Sequence, residues 1–388
     1  MNTIYFDNSA TTPVCPAARE ALLRVLDSIP GNPSSLHALG AAAERELTAA
    51  RMSVLSALGS DRFRGRLVFT GCGSEANNLA VLGAARAKKF RGTPRLITTD
   101  SEHPSILRQA ELLSSAGWDV VRIPTRGGAL DTDAFDAALT PETVIISLML
   151  VNNETGAVYD VASAFAKARR RVPAALLHCD AIQGFLKIPF SVHRLGCDAL
   201  SVSAHKVGAP KGVGALWFSP ELERRRALSP VIYGGGQEAG LRSGTENVAG
   251  IAAFGAAVRE NAAGIAEFSE TTSALSRQIV ELLTAANAGI RFNLPPVRAP
   301  HILSITNPRV RSETLVHFLS ARGICVSAGS ACSSHAKKPE SALPAFGLTE
   351  KETGRTVRVS LSSDNTAEEV AVFCSAFLEG IQTLAGEA

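Results

Sequence analysis

The feature that most constrains the fold is a regular alternation of short apolar runs with helical segments between residues 66 and 218. Seven runs are rich in β-branched and other apolar residues, and they read RLVFT, RLITT, DVVRIP, TVIISLMLV, ALLHCD, DALSVSA and GVGALWF. Candidate helices separate the earlier runs, at Glu75–Phe90, His103–Ala116 and Val161–Arg171. Continuous apolar strands joined by helices predict an α/β fold whose mostly parallel sheet is covered on both faces.

The residues after this alternation predict a second, smaller part of the chain. The glycine-rich run GGGQEAGLRSGTEN is followed by a long helical stretch, Val248–Ala286, and by the apolar runs HILSIT, GICVSA and TVRVSL. A chain of 388 residues is long enough for two hydrophobic cores. We therefore predict a large domain over residues 14–257 and a smaller α+β domain formed by residues 1–13 and 258–388.

Charge and cysteine content narrow the class of protein. A formal net charge of +3 does not indicate binding to nucleic acid or to an anionic membrane, and no apolar run approaches the roughly twenty residues of a membrane span. The N-terminus lacks the pattern of a signal peptide. The seven cysteines are scattered without a CxxC pair, which favours a reducing, cytoplasmic location. Five are expected to be packing residues: Cys15, Cys72, Cys179, Cys197 and Cys374.

The run RLVFTGCGSEANN places a glycine-rich turn between a strand and a helix. Backbone N–H groups at such a helix start, together with the Ser74 hydroxyl, predict an anion site. The same letters also match the dinucleotide fingerprint, with Asp100 at the end of the next strand as a possible ribose ligand. This motif alone leaves a dinucleotide, another phosphorylated cofactor and a plain tight turn open.

Lys206 and Asp180 each follow a buried strand. A lysine beside the mouth of a sheet can be desolvated and become nucleophilic towards an aldehyde, with Ser203 and His205 as nearby phosphate ligands. A buried carboxylate such as Asp180 needs a cationic partner, which a pyridinium nitrogen would supply. Taken singly, a lysine at position 206 would more often be a solvated surface residue, and Asp180 would be interpreted as a turn residue or a helix N-cap.

Polar residues also follow two further strands of the predicted sheet. His103 begins a helix, where it could stack on a flat ring, move a proton or simply cap the helix. Asn152 and Asn153 follow the most apolar strand, and either could donate a hydrogen bond to a ring oxygen or to a substrate carboxylate.

Cys332 lies in SAGSACSSHAKKPE, a stretch of small and polar residues without periodicity. Such a stretch predicts a solvated loop, whereas cysteine is usually buried. An exposed thiol therefore indicates a chemical role, with the thiolate as the reactive form. Lys337 and Lys338 either favour that form, engage an acidic acceptor or serve solubility alone.

In their joint order, these segments resemble the cysteine desulfurases of the NifS/IscS-like type, pyridoxal-phosphate enzymes of the class V aminotransferase group. The matching segments run through nearly the whole chain and read YFDNSATTPV, GNPSSLH, GCGSEANN, SEH, VNNETG, HCDAIQ, SVSAHK, GAPKGVGAL, GGGQEAGLRSGTEN and SAGSACSS. The resemblance implies the type I fold of pyridoxal-phosphate-dependent transferases, pyridoxal 5′-phosphate as cofactor and L-cysteine as substrate.

The resemblance also implies roles for individual residues around the cofactor. Lys206 matches the lysine that binds the cofactor covalently, and Asp180 matches the partner of the pyridine nitrogen. His103 would stack on the ring and take part in proton transfer. The remaining contacts are implied for Gly73, Ser74, Ser203 and His205 at the phosphate, and for Asn153 and Gln183 at the phenolic oxygen.

Further matches concern the substrate and the partners. Thr245 matches a residue that reaches the phosphate of the other subunit, which implies a homodimer. Arg358, with Asn153, matches the substrate-binding positions, and Cys332 matches the nucleophile that keeps the sulfur as a persulfide and leaves alanine. An acceptor protein, such as an iron–sulfur scaffold, would receive the sulfur for cluster assembly or for tRNA thiolation. Cys325 is expected to be structural.

Three other functions remain open on the sequence alone. A nicotinamide-dependent oxidoreductase would use GCGSEA and Asp100 but would leave Lys206, Asp180 and Cys332 without a role. An aminotransferase or a selenocysteine lyase would keep the cofactor and change the reaction. A non-catalytic scaffold for a sulfur-transfer partner is the third, and the intact Lys206, Asp180, His103 and Cys332 argue against it.

Overall fold

The computed structural model describes residues 3–87, 90, 92–329 and 341–384. Its strands are β1 (Ile4–Tyr5), β2 (Arg66–Thr70), β3 (Arg95–Thr99), β4 (Asp119–Ile123), β5 (Thr143–Met149), β6 (Leu176–Asp180), β7 (Ala199–Ser203), β8 (Gly214–Phe218), β9 (Arg291–Phe292), β10 (Ile302–Thr306), β11 (Ile324–Cys325), β12 (Ser327–Ala328) and β13 (Thr356–Ser360). Its helices are α1 (Pro16–Ser28), α2 (Ala38–Ala57), α3 (Gly73–Ala87), α4 (Pro104–Ser115), α5 (Thr132–Ala138), α6 (Val161–Arg171), α7 (Val192–Leu195), α8 (Pro220–Arg224), α9 (Val248–Ala262), α10 (Ile265–Ala285), α11 (Ser312–Ser320), α12 (Glu350–Thr353) and α13 (Ala367–Leu384).

The large sheet has seven strands among the described residues, in the order β2-β8-β7-β6-β5-β3-β4. Strand β8 runs antiparallel to β2 and to β7, while the pairs from β7 to β4 are parallel. Every predicted run between residues 66 and 218 contains one of these strands, so the predicted α/β fold with a mostly parallel sheet is confirmed. Its centre, β5 and β6, is almost wholly buried.

The helices that flank this sheet begin at local capping signals. Asp160 accepts a hydrogen bond from the backbone N–H of Ser163 at the start of α6. Three arginines end that helix, where their positive charge stabilises it by offsetting the partial negative charge of the C-terminal end. His103 caps α4, whose first residue is Pro104, a residue that lacks the N–H group left unpaired at a helix start. These caps define where α4 and α6 begin after the preceding strands.

A second, four-stranded sheet has the order β12-β13-β10-β9, and β1 pairs separately with β11. Arg358 on β13 lies opposite Ser304 on β10 and Ser327 on β12. Asp7 forms an isolated bridge with Ser360, so the N-terminal segment reaches this region of the fold. A separate hydrophobic cluster includes Phe6 and the buried residues of β10, β13 and α13.

The stretch Val248–Ala286, predicted as one helical segment, forms two helices, because α9 ends at Ala262 and α10 starts at Ile265. Helix α9 packs against α1 and α2. Residue 257 lies inside α9, and the division of the chain at that residue stays a prediction. In the part of the chain that the structure describes, no helix combines the length and the apolarity needed to cross a bilayer.

Candidate active site

A cavity of about 260 Å³ lies at the carboxyl ends of the large-sheet strands, where open parallel sheets bind ligands. Ten of the twelve predicted site residues line it: Gly73, Ser74, His103, Asn153, Asp180, Gln183, Ser203, His205, Lys206 and Arg358. Another cavity, of about 210 Å³, lies beside Pro94, Pro141 and Leu222, but it does not bring together such a set of ionisable groups. The larger set of converging polar groups marks the first cavity as the candidate site.

Asp180 ends β6 and is buried beside the cavity, with 4% of its surface exposed. Its Oδ2 accepts a hydrogen bond from Asn77 Nδ2 at 2.8 Å, and its Oδ1 accepts one from the backbone N–H of Ile182 at 3.0 Å. Burial raises the pKa of Asp180, whereas these hydrogen bonds and the charge of Lys206 oppose the rise. A cation at the cavity would therefore stabilise the carboxylate. Sequence reasoning missed Asn77, although it stands in the quoted segment GCGSEANN.

Lys206 lies in a short 3₁₀ turn, Ala204–Lys206, that follows β7 directly. Its Nζ donates hydrogen bonds to the backbone carbonyls of Ser9 and Ala10, the second at 2.7 Å. Gln183 Nε2 donates to the same Ser9 carbonyl at 2.9 Å. The N-terminal segment thus covers one side of the cavity and places acceptors around the amine, a feature that the strand pattern did not predict.

His103 is mostly buried at the start of α4. Burial, and secondarily the charge of Lys206, lowers the pKa of His103 to about 4, so the imidazole is neutral near pH 7. Its Nδ1 accepts a hydrogen bond from the backbone N–H of Ser105 at 3.1 Å and lies 2.8 Å from Ser105 Oγ. Ser105 Oγ in turn accepts a hydrogen bond from Asn77 at 2.8 Å. A chain of hydrogen bonds therefore joins His103 to Asp180, and no pattern in the sequence indicated Ser105.

The predicted phosphate ligands lie together where α3 begins. A Cβ atom on Gly73 would lie 2.4 Å from Ile182 Cδ1 and 3.1 Å from Ser203 Cβ, so any side chain there would displace Ile182, which also lines the cavity. The Ser203 hydroxyl is buried without a hydrogen-bond partner among the described residues. Burial and two nearby lysine charges lower the pKa of His205 to about 4. An unpaired hydroxyl beside the start of a helix suits an anionic group. Ser74, in the first turn of α3, lines the same cavity.

Arg358 also lines the cavity and is 3% exposed. Its Nη2 donates to Asp7 Oδ1 at 2.8 Å and to Ser327 Oγ at 3.1 Å, and its Nη1 donates to the carbonyl of Asn153 at 3.0 Å. Within the described residues its Nε has no partner. A buried guanidinium with one N–H unsatisfied fits a carboxylate ligand. The role of Asp7 was missed because its partner is distant in the sequence.

The structure separates the two asparagines that follow β5. Asn152 is fully buried, and its Oδ1 accepts hydrogen bonds from the backbone N–H groups of Glu154 and Thr155, each at 2.9 Å. Asn152 therefore shapes the turn. Asn153 lines the cavity, and its contacts with cofactor and substrate stay a prediction.

Glu154 contacts Ser341 and Ala342, the first described residues after the gap at residues 330–340. Its carboxylate accepts hydrogen bonds from Ser341 Oγ at 2.5 Å and from the backbone N–H of Ala342 at 3.0 Å. Burial raises the pKa of Glu154 to about 7, although these hydrogen bonds and the charge of Arg358 oppose the rise. Glu154 was another residue that sequence reasoning missed.

Two predicted residues do not line the cavity as described. Cys332, with Lys337 and Lys338, lies outside the described residues. Thr245 is exposed on a loop away from the cavity lining. Cys325 is half-buried and pairs with Tyr5 in the β1–β11 ladder.

The cysteines expected to pack in the interior behave differently from one another. Cys72 is exposed and lines the cavity, so the expectation for Cys72 is wrong. The reason is local, because Cys72 lies in the turn between β2 and α3, where its Sγ accepts a hydrogen bond from the backbone N–H of Glu75 at 3.4 Å. Cys15 is half-buried, and the remaining three are buried: Cys179, Cys197 and Cys374.

Comparison with known proteins gives consistent matches over nearly the whole chain. The family described as aminotransferase class-V matches residues 4–373. A cysteine desulfurase of Trichormus azollae is 34% identical over 372 residues, which cover 95% of this chain and 90% of the relative. A solved NifS-like protein superposes with a TM-score of 0.91 at 32% identity, covering 98% of this chain and all of that one. A structure described as SspA in complex with cysteine superposes with a TM-score of 0.79 at 31% identity, covering 94% of this chain and all of that one.

Proposed function

Because the chain belongs to the aminotransferase class-V family, we propose that it is a cysteine desulfurase dependent on pyridoxal 5′-phosphate. It takes the sulfur from L-cysteine, releases L-alanine and keeps the sulfur as an enzyme persulfide. The observation that carries this proposal is the convergence of Lys206, Asp180 and Arg358 on one cavity. A solved relative that carries cysteine supports the choice of substrate.

The residues of the cavity fit the cofactor group by group. The unpaired Ser203 hydroxyl and the space kept open by Gly73 suit the phosphate, with Ser74 and His205 beside them. The buried Asp180 carboxylate suits the protonated pyridine nitrogen, because each charge stabilises the other. When bound, pyridoxal 5′-phosphate supplies an electron sink for bond breaking next to the substrate amine.

The other side chains have distinct tasks towards cofactor and substrate. Lys206 Nζ would hold the cofactor covalently, and Asn153 and Gln183 would donate hydrogen bonds to its phenolic oxygen. His103 would stack on the ring. Arg358 would bind the substrate carboxylate through its unsatisfied Nε edge.

Cys332 is the proposed sulfur acceptor. As the C–S bond of the substrate breaks, an S–S bond forms between the substrate sulfur and the Cys332 sulfur. A proton takes the place of sulfur on the substrate carbon, and the products are alanine and the Cys332 persulfide. One cysteine and one enzyme thiol therefore give these two products without an external oxidant or reductant.

The proposal extends to partners. Thr245 is exposed and outside the cavity lining, which agrees with a role at the phosphate of a second subunit in a homodimer. The persulfide then passes to an acceptor protein, such as an iron–sulfur scaffold or a component of tRNA thiolation.

The test compares Cys332→Ser with Cys325→Ser in the cofactor-loaded protein. Cys332→Ser should bind L-cysteine, because Lys206, Asp180 and Arg358 are unchanged, but it should form no persulfide and release little alanine, since a hydroxyl is a far weaker nucleophile than a thiolate. Alanine release and the mass of the protein report the two products.

Cys325→Ser is the matched control, because the backbone of Cys325 pairs in the short β1–β11 ladder and its side chain is not among those that line the cavity. It should keep most of the activity. Alanine release by Cys332→Ser at the wild-type rate, or a persulfide on Cys325, would contradict the assignment. Lys206→Ala should in addition abolish turnover and the visible absorbance of the bound cofactor.

A further inference from the structure

We propose that Ser105 is a positioning residue that holds His103 in the neutral tautomer protonated on Nε2. In this state the ring nitrogen that does not contact Ser105 carries the proton. The inference rests on the proposed function for the identity of the substrate. The tautomer itself follows from hydrogen-bond directions within the described residues.

The directions start at Asp180. Asn77 Nδ2 lies 2.8 Å from Asp180 Oδ2 and 2.8 Å from Ser105 Oγ. The reversed amide would point its oxygen at a carboxylate, where two acceptors would face each other, so the NH₂ group must occupy this position. The two amide hydrogens are then directed to Asp180 and to Ser105, and Ser105 Oγ acts as an acceptor.

The hydroxyl hydrogen of Ser105 is therefore not directed at Asn77, and His103 Nδ1 is the other atom within hydrogen-bond distance of Ser105 Oγ. His103 Nδ1 lies 2.8 Å from Ser105 Oγ and also accepts the backbone N–H of Ser105 at 3.1 Å. A nitrogen that receives two donors cannot itself carry a proton. The single proton of the neutral ring is left on Nε2.

The neutral state of the ring has its own physical basis. Burial and the nearby Lys206 charge lower the pKa of His103 to about 4. An imidazolium is therefore rare near neutral pH, and a neutral ring protonated on Nε2 has no lone pair there to take a proton. In this tautomer His103 can donate a proton or a hydrogen bond from Nε2 into the cavity that it lines.

The decisive measurement is long-range ¹H–¹⁵N NMR of the holoenzyme labelled with ¹⁵N-histidine, with the His103 signals assigned from the His103→Gln variant. At neutral pH we expect one protonated nitrogen, Nε2, and an unprotonated, hydrogen-bonded Nδ1. A proton on Nδ1, or a charged ring, would overturn the proposal. This readout does not depend on desulfurase activity, so it fails or succeeds separately from the proposed function.

Ser105→Ala tests the hydroxyl. It should shift the Nδ1 resonance as one donor is lost, and lower kcat about fivefold with KM within about twofold, as for the loss of one neutral hydrogen bond. Ser105→Thr keeps a hydroxyl and should restore both. Ser115→Ala, an exposed serine in the same helix, is the matched control and should match the wild type. Wild-type Nδ1 shifts and kcat in Ser105→Ala would show that Ser105 does not position His103.

Discussion

Replacing Glu102 with glutamine should stabilise the protein relative to the wild type, and the gain should grow as the pH rises. Glu102 is 3% exposed, and its Oε2 has no hydrogen-bond partner among the described residues. Its Oε1 accepts hydrogen bonds from Thr99 Oγ1 at 2.8 Å and from the backbone N–H of Met149 at 2.9 Å. Burial, reinforced by the charge of Asp180 and opposed by these hydrogen bonds, raises the pKa of Glu102 from 4.5 to about 8.

The sign of the pH effect follows from the proton that the folded protein retains. Below about pH 4.5 the carboxyl group is protonated in both the folded and the unfolded state. Between 4.5 and about 8 the unfolded state releases the proton and the folded state keeps it, so the free energy of unfolding falls by about 1.4 kcal/mol per pH unit. Over the whole interval the fall is about 5 kcal/mol. Glutamine has a similar size and does not titrate.

The assay compares the thermal midpoints of the wild type and Glu102→Gln from about pH 5 to about pH 8. An unfolding entropy of about 2.1 cal/mol/K per residue over 388 residues converts 1 kcal/mol into about 1.2 °C. The variant should therefore gain about 4 to 6 °C on the wild type across this range. Glu352→Gln is the control. That carboxylate lies at the surface, where it accepts two hydrogen bonds from Thr349, so its replacement should give a midpoint difference that does not change over this pH range. For Glu102→Gln, a midpoint difference that does not change with pH would refute the reasoning.

Three further predictions concern the cavity. Gly73→Ala should weaken cofactor retention at least tenfold in an absorbance titration, because the new Cβ would lie 2.4 Å from Ile182 Cδ1; unchanged retention would contradict this. Asp180→Asn should still bind the cofactor yet lose most of its turnover, since a neutral amide does not keep a proton on the pyridine nitrogen, and wild-type alanine release would remove Asp180 from the mechanism. Glu154→Ala and Ser341→Ala should each slow persulfide formation about tenfold, and their effects should not add, because both remove the same hydrogen bond; additive effects would mean that they act separately.

The sequence predicted the large sheet and most of the cavity because both depend on local patterns. Each apolar run between residues 66 and 218 specifies a strand by itself, and the polar residue at its end then falls at the sheet edge without further information. Asp180, Ser203 and Lys206 were found in this way. The break of the helical stretch at Ala263 and Gly264 was not, since both residues can also lie within a helix.

The residues that sequence reasoning missed act through partners that are remote in the chain. Asn77 contacts Asp180 from helix α3, 103 residues earlier in the chain, and Glu154 contacts Ser341, which is 187 residues away. No local pattern distinguishes these residues from polar residues that only contact solvent. Cys72 shows the opposite error. The general rule that cysteine is buried predicted a packing role, whereas Cys72 lies in the turn after β2 and is exposed.

The pairing of Asp7 with Arg358 imposes an order on the assembly of the site during translation. The two residues are 351 positions apart, so a ribosome that adds about 5–20 residues per second makes Arg358 roughly 20 to 70 s after Asp7. Every residue of the cavity from Ser9 to Lys206, and the strand β8 between β2 and β7, is made in that interval. The residues proposed to hold the cofactor, up to Lys206, are therefore made before Arg358, the proposed ligand of the substrate.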